Sequence, residues 1–171
     1  IVDAYTTERY NGNIQAHFTK NKKIRLSKNV INILAKEKKA KLDNLNTYQT
    51  FNKKIEKSKF YLFKYLSKYP NSLIIGKSFP ARASVILNYF SFLKDKMNFI
   101  AEQPTSLKLN YYIAGTSIKI VDSKILKKLK PDIIIIFAWH LFKEIKNKWK
   151  KKNLPKSTKY VLVLPKLKIF K

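Results

Sequence analysis

The stretch Gly76-Lys77-Ser78-Phe79-Pro80-Ala81-Arg82 has the residue types and spacing to hold an anion. A glycine closes an apolar run, and a proline follows four residues later at a helix start. Lys77 and Arg82 bring full positive charges, and Ser78 brings a hydroxyl. Where a strand ends at such a glycine and a helix begins after such a proline, the first N–H groups of the helix and its positive dipole end face the same point. In an open parallel sheet that point lies at the carboxyl ends of the strands, where ligands bind. The chemistry on offer is capture and orientation of a phosphate or a similar anion. Only Gly76 is present, so the segment is neither a Gly-x-Gly-x-x-Gly fingerprint nor a Walker loop. A strand-to-helix turn with a structural role alone is the competing reading.

Four further residues enter as candidates. Glu102 ends an expected strand 26 residues after Gly76. An acidic residue there can bind a ribose hydroxyl, or it can be a solvated loop carboxylate. Trp139 ends a run of apolar residues, with core packing or stacking on a base or sugar as its two roles. Asn88 lies on the helix after the anion turn, and a buried amide there needs partners, so it is expected to bond across to another strand's loop. His140 and His17 are far apart in the chain, and neither has a carboxylate at ligand spacing, so no metal site is assigned; a surface or capping role is the alternative for each. The absence of Cys excludes a disulfide framework, a thiolate metal site and a Cys nucleophile. No residue of the chain is assigned a catalytic role.

These side chains need elements to hold them. Val2, Tyr5 and Thr7, then Ile14, Ala16 and Phe18, read as two strands joined by a turn at Arg9-Tyr10-Asn11-Gly12-Asn13. A basic link follows, and Ser27 caps a helix to about Lys41 with Val30, Ile31 and Leu34 on one face. A long helix from about Thr47 to Tyr69 carries an apolar stripe of Tyr48, Phe51, Ile55, Leu62, Leu66 and Tyr69. From Ser72 the rhythm becomes β-α-β-(β)-α-β-α-β. Leu73 to Gly76 is a buried strand. The helix after Pro80 has Val85, Ile86, Tyr89 and Leu93 on one face. Asn98 to Ala101 is a strand, and short extended pieces flank Gly115. Asp122 or Ser123 caps a helix with Ile125, Leu126 and Leu129. Asp132 to Phe137, with four consecutive Ile, is a fully buried strand. Leu141, Phe142, Ile145 and Trp149 form a helix stripe, and Tyr160 to Leu164 is the last strand, closed by Pro165. The alternation predicts an α/β, Rossmann-like, doubly wound and mostly parallel sheet. A helical connection and a β-hairpin from an upstream domain precede it. The divisions fall at 1–20, 21–70 and 71–171.

The chain has 171 residues, 37 Lys and Arg against 10 Asp and Glu, and a formal net charge of +27. A chain of this length buries about 70% of its unfolded surface, enough for a real core. Hydrophobic residues at 45% exclude a disordered chain despite the charge. The charge suggests a polyanion partner, but 34 of the cations are Lys and three are Arg. Base-edge and bidentate phosphate recognition favour Arg. Lys, Ile and Asn are the residues that AT-rich codons encode, so compositional drift accounts for much of the excess. Nucleic acid is therefore not expected as the partner, although a non-catalytic basic nucleic-acid-binding or interaction domain stays as the alternative. No apolar run approaches the ~20 residues of a membrane span, and no signal peptide is visible, so no membrane partner and a cytoplasmic location are expected. The one Met is Met97 and the chain begins Ile1-Val2-Asp3; the expectation is the tail of a longer polypeptide.

Ile75 to Tyr89 resembles the "GYGAPAKGNTLLNY" segment in the C-terminal domain of S-adenosylmethionine-dependent C-methyltransferases that act on nucleotide-linked deoxysugars. In order along the chain, Phe99 to Pro104 resembles that family's "FVVDxNP", Ala114 to Ile118 its "PGTxIPI", Pro131 to Ile145 its "PDyvlllAWNfxxEI", and Val163 to Pro165 its "vPlP". Upstream, Asp43 to Tyr48 resembles "GLxxxxTY" and Gly12 to Gln15 "GGSxR". The resemblance covers essentially the whole chain. Lys77, Ser78 and Phe79 replace the family's Tyr-Gly-Ala, Arg82 its Lys, Ala83 its Gly, and His140 the Asn after Trp139. Lost glycines restrict how closely the backbone approaches a ligand.

The resemblance implies the substrate-binding part of such an enzyme. Residues 1–20 would close the central methyl-donor domain. S-adenosyl-L-methionine would be bound upstream, where the catalytic residues also lie, and zinc in an N-terminal Cys-rich segment. The substrate-binding set is Gly76, Lys77, Ser78, Arg82, Asn88, Glu102, Trp139 and His140. The partner is a nucleotide-linked sugar or a similar small molecule.

Overall fold

The computed structural model describes residues 1–8, 12–21, 23–150, 155–164 and 166–170. The chain divides into two compact units, Ile1–Ile55 and Glu56–Lys171.

In the first unit, β1 (Asp3–Thr7) and β2 (Asn13–His17) pair antiparallel, with Asp3 opposite His17 and Thr7 opposite Asn13. The expected turn residues Arg9, Tyr10 and Asn11 lie outside the described residues. The strands form as expected, but the expected apolar face does not: Ala4 is buried, while Tyr5, Ile14 and Phe18 are exposed. β1 packs against α1 (Lys28–Lys39) and takes its small side chain to that contact, and a two-stranded ribbon has no further layer to cover the rest. Ser27 caps α1 as expected, accepting the Val30 N–H at 3.3 Å and donating its own hydroxyl to Asp3. The Ser27 hydroxyl and the Asn29 amide, both on its carboxylate, hold Asp3 below the usual carboxylate range. The covered line of α1 runs Val30, Ile33, Glu37, and the expected Ile31 and Leu34 are exposed.

Helix α2 (Leu45–Leu66) leads into the second unit. Leu62, Leu66 and Ser58 are buried, but Tyr48 and Phe51 of the expected stripe are exposed. The stripe is therefore used only in its second half. Tyr48 turns its hydroxyl back to the Leu42 carbonyl at 2.6 Å.

The second unit is built on a six-stranded sheet. Its strands are β3 (Ile74–Lys77), β4 (Phe99–Glu102), β5 (Lys119–Asp122), β6 (Ile133–Ile136), β7 (Lys159–Leu162) and β8 (Lys168–Phe170), in the order β5-β4-β3-β6-β7-β8. β3 to β7 are parallel, as expected. β8 is an antiparallel addition beside β7; the expectation that Tyr160 to Leu164 is the last strand fails because three residues among lysines give too short a pattern to read. Ile133 to Ile136 are each at most 1% exposed. Side chains alternate between faces along a strand, so both faces are covered. Ile134 and Ile136 share one core with Leu126 and Ile145.

Between the strands lie α3 (Ala81–Tyr89), α4 (Leu93–Lys96), α5 (Leu126–Leu129) and α6 (Phe142–Lys150). The expected face holds in part: Ile86 is buried as expected, and so is Leu93, which falls on α4, but Ala83 and Leu87 take the remaining buried places while Val85 and Tyr89 are exposed. A helix lying on a flat sheet needs a small residue at the closest approach, and Ala83 fills that place. Asp122 caps the 3-10 turn before α5, accepting the Lys124 N–H at 2.8 Å. The side chain of Trp149 and the residue Pro165 lie outside the described residues. The backbone of Asn110 to Ile113 lies along β5, with Asn110 N–H on Ile120 O at 2.8 Å and Ile120 N–H on Tyr111 O at 2.9 Å. No described helix is long and apolar enough to cross a membrane.

Candidate anion site at the switch between β3 and β6

Numbered within the second unit, the strand order is 3-2-1-4-5-6. Its direction of winding reverses between β3 and β6, and in open α/β sheets ligands bind at such a reversal, beyond the carboxyl ends of the strands. The turn from Ser78 to Pro80 leaves β3 there, and the turn from Phe137 to Leu141 leaves β6 there.

Gly76 is buried inside β3. A Cβ on it would lie 2.5 Å from Ile100 Cγ1 and 2.9 Å from Phe137 Cε2, so the glycine is required by packing between neighbouring strands. Lys77 is 6% exposed and its carbonyl accepts the Phe137 N–H at 3.1 Å, tying the two switch-point strands together. Ser78 takes a left-handed φ of 61°, and its N–H donates to Ala101 O at 3.0 Å. That backbone shape suits glycine, which is what the resembling family places there.

Pro80 stands at the N-cap of α3, and no side chain caps the first turn. Proline supplies no capping oxygen; the Ala83 N–H bonds the Pro80 carbonyl at 2.8 Å, and the Ala81 and Arg82 N–H groups have no side-chain cap. Arg82 is exposed on that turn, and its guanidinium lies 5.0 Å from the centre of the Trp139 ring. Trp139 and His140, both half-buried, meet edge to face with centroids 6.3 Å apart. Burial lowers the His140 imidazole below the ordinary histidine value, the Arg82 charge lowers it further, and Glu144 opposes both. Arg82, Trp139 and His140 thus form one cluster across the switch. No motif joins Arg82 to Trp139 in the sequence, and topology alone brings them together.

Glu102, at the end of β4, accepts the Phe79 N–H at 2.8 Å on one oxygen and the Gln103 N–H at 2.9 Å on the other. Lys108, which sequence reasoning missed, donates to Phe79 O at 2.7 Å. Its position in a long connection gave no signal.

Asn88 lies elsewhere. Six residues along α3 from Arg82 is a rise of about 9 Å, toward the amino ends of the strands. Its amide donates to Ser84 O at 2.9 Å and to Ala114 O at 3.3 Å, the bond to another strand's loop that its position called for. The structure therefore divides the expected set. Ser78, Arg82, Trp139, His140 and Glu102 gather at the carboxyl end, Gly76 and Lys77 sit inside the sheet, and Asn88 serves the opposite end. Among the described residues, no group of three His, Asp or Glu side chains could hold a metal ion.

A basic helix terminus, a guanidinium and an indole plane together can hold a phosphate and cover a ring. Residues 10–165 match the family described as the C-methyltransferase C-terminal domain. No curated protein matches the chain.

Proposed function

Because the chain belongs to the C-methyltransferase C-terminal domain family, we propose that it is the substrate-holding part of a carbon-methylating transferase, with a nucleotide-linked sugar or similar substrate as its ligand. The observation that carries this reading is the placing of Arg82 over Trp139 beside the uncapped start of α3. The helix terminus and Arg82 take the phosphates, by dipole and by charge-assisted hydrogen bonds. The indole takes the base or sugar once Arg82 moves to the phosphate. Held there, the acceptor carbon is presented in a fixed orientation, which lowers the entropic part of the barrier.

In this reading a base removes a proton next to a carbonyl, and the resulting carbanion forms the new carbon–carbon bond. S-adenosyl-L-methionine supplies an electrophilic methyl group to such a reaction. The residues present do not fit that donor: the chain has three Gly, and its one strand-to-helix anion turn suits the acceptor substrate. In this reading donor binding and proton abstraction belong to residues outside 1–171.

Calorimetric titration of the intact protein with a panel of nucleoside diphosphates and their sugar conjugates tests the proposal. Arg82→Ala weakens nucleotide-sugar binding by about tenfold or more, the worth of a charge-assisted contact, and leaves donor binding unchanged. Equal loss of both affinities, or loss of neither, would refute the role given to Arg82.

A further inference from the structure

Residues outside the anion turn help to hold it. The end of β4 and the segment after it grip it from outside, and the grip closes on one residue. Phe79 donates its N–H to Glu102 Oε2 at 2.8 Å, and its carbonyl accepts from Lys108 Nζ at 2.7 Å. The Lys108 ammonium also lies 5.6 Å from the centre of the Phe79 ring. One residue earlier, Ser78 donates to Ala101 O at 3.0 Å. Both oxygens of Glu102 are engaged by backbone N–H groups, of Phe79 and Gln103.

Lys108 is itself placed by structure. Its N–H donates to Ser106 Oγ at 3.3 Å, and two residues later Asn110, at φ 70°, is fastened to Ile120 of β5. The connection from β4 to β5 therefore starts with one grip on the turn and delivers the second before it joins the edge strand.

We infer that Glu102 and Lys108 are positioning residues for the anion site: they aim the first turn of α3 by holding the backbone on both sides of Phe79, and the Glu102 carboxylate is committed to backbone amides instead of a ligand hydroxyl. This rests on the reading of the turn as the ligand cradle. A residue before proline is confined to extended backbone, so the Phe79 conformation decides where Pro80 and the start of α3 point. The preceding Ser78 is left-handed, a shape that an L residue leaves when released. An acceptor on the peptide before Phe79 and a donor of opposite charge on the peptide after it oppose that release. Arg82 stands three residues beyond, so rotation of the backbone at Phe79 displaces both the helix N–H groups and the guanidinium.

The test uses the intact protein, with the tightest-binding nucleoside diphosphate of the panel as probe. Three quantities are measured for Lys108→Met, Lys108→Arg and Glu102→Gln: the dissociation constant, its salt dependence, and hydrogen exchange at the Phe79 amide. Lys108 is exposed and screened by water, so Lys108→Met is expected to weaken binding about three- to tenfold. It speeds exchange at Phe79 and leaves the salt dependence of binding unchanged, because Lys108 does not touch the ligand. Lys108→Arg, which keeps a charged donor, restores most of both. Glu102→Gln, which keeps one acceptor oxygen, has the same signs with smaller size. Weaker binding with unchanged Phe79 exchange and a shallower salt dependence would show direct ligand contact and overturn the inference. Faster exchange with unchanged affinity would overturn it as well. Wild-type protein that binds no nucleoside diphosphate would overturn the parent reading, whereas wild-type binding that all three variants preserve would overturn this inference alone.

Discussion

An alanine at position 76 would bring its methyl to 2.5 Å from Ile100 Cγ1 and 2.9 Å from Phe137 Cε2, inside any real contact distance. Both neighbours are fully buried and lie on or beside adjacent strands, so neither can swing away. Gly76→Ala is expected to destabilise the second unit by about 1–3 kcal/mol, the usual cost of overpacking, seen as a lower denaturant midpoint. An unchanged midpoint would mean that the strands separate freely there. The sequence shows a glycine at a strand end and leaves two readings open, ligand approach or packing. What decides between them is which residues stand alongside on β4 and after β6, and those are 24 and 61 positions away. Ser78 is a milder version of the same problem. Its left-handed backbone is invisible in its own type and is hinted at only by the glycine in the resembling family.

Helix α3 illustrates how one element serves two ends. Arg82 lies at the switch point, and Asn88 ties the other end to the turn before β5. Asn88→Ala removes one exposed cross-loop bond, worth about 0.5–1.5 kcal/mol at most. It should loosen exchange in the 113–118 turn while nucleotide affinity at Arg82 stays the same; a parallel loss of affinity would show that the two ends act together. The helix itself was legible from Pro80 and the apolar spacing, but its face only in part. Hydrophobicity favours Val85 and Tyr89 as inward residues, whereas contact with a sheet selects the small Ala83 and turns them outward. Tyr89 then bonds Glu56 on α2. The isoleucines of β6 were legible because a strand covered on both faces has no polar position. β8 was not, and neither was the double grip on Phe79, because that grip is made to backbone atoms, which every residue has.

For the whole chain, a net charge of +27 is a self-repulsion that folding concentrates. Lys124 pairs with Asp122 at 4.0 Å, largely exposed, and with 37 Lys and Arg against 10 Asp and Glu, pairing can relieve only a minor part of that repulsion. Raising monovalent salt from about 10 mM to about 150 mM shortens the screening length from about 30 Å to about 8 Å. It is therefore expected to raise the melting temperature by several degrees, with an uncharged osmolyte of equal osmolality having a smaller effect. A melting temperature that falls with salt would point to stabilising surface pairs instead. Sheet geometry has a related consequence for self-association. The outward side of β5 is already bonded to Asn110–Ile113, so no second chain can add a strand there without displacing native bonds. β8 is paired on its β7 side, and exposed Lys166 and Lys168 flank its remaining edge. Polymerisation through the free edge of the six-stranded sheet would have to bring two such lysine-bearing edges together. The charge that costs the monomer some stability also guards the one strand of the six where an aggregate could start.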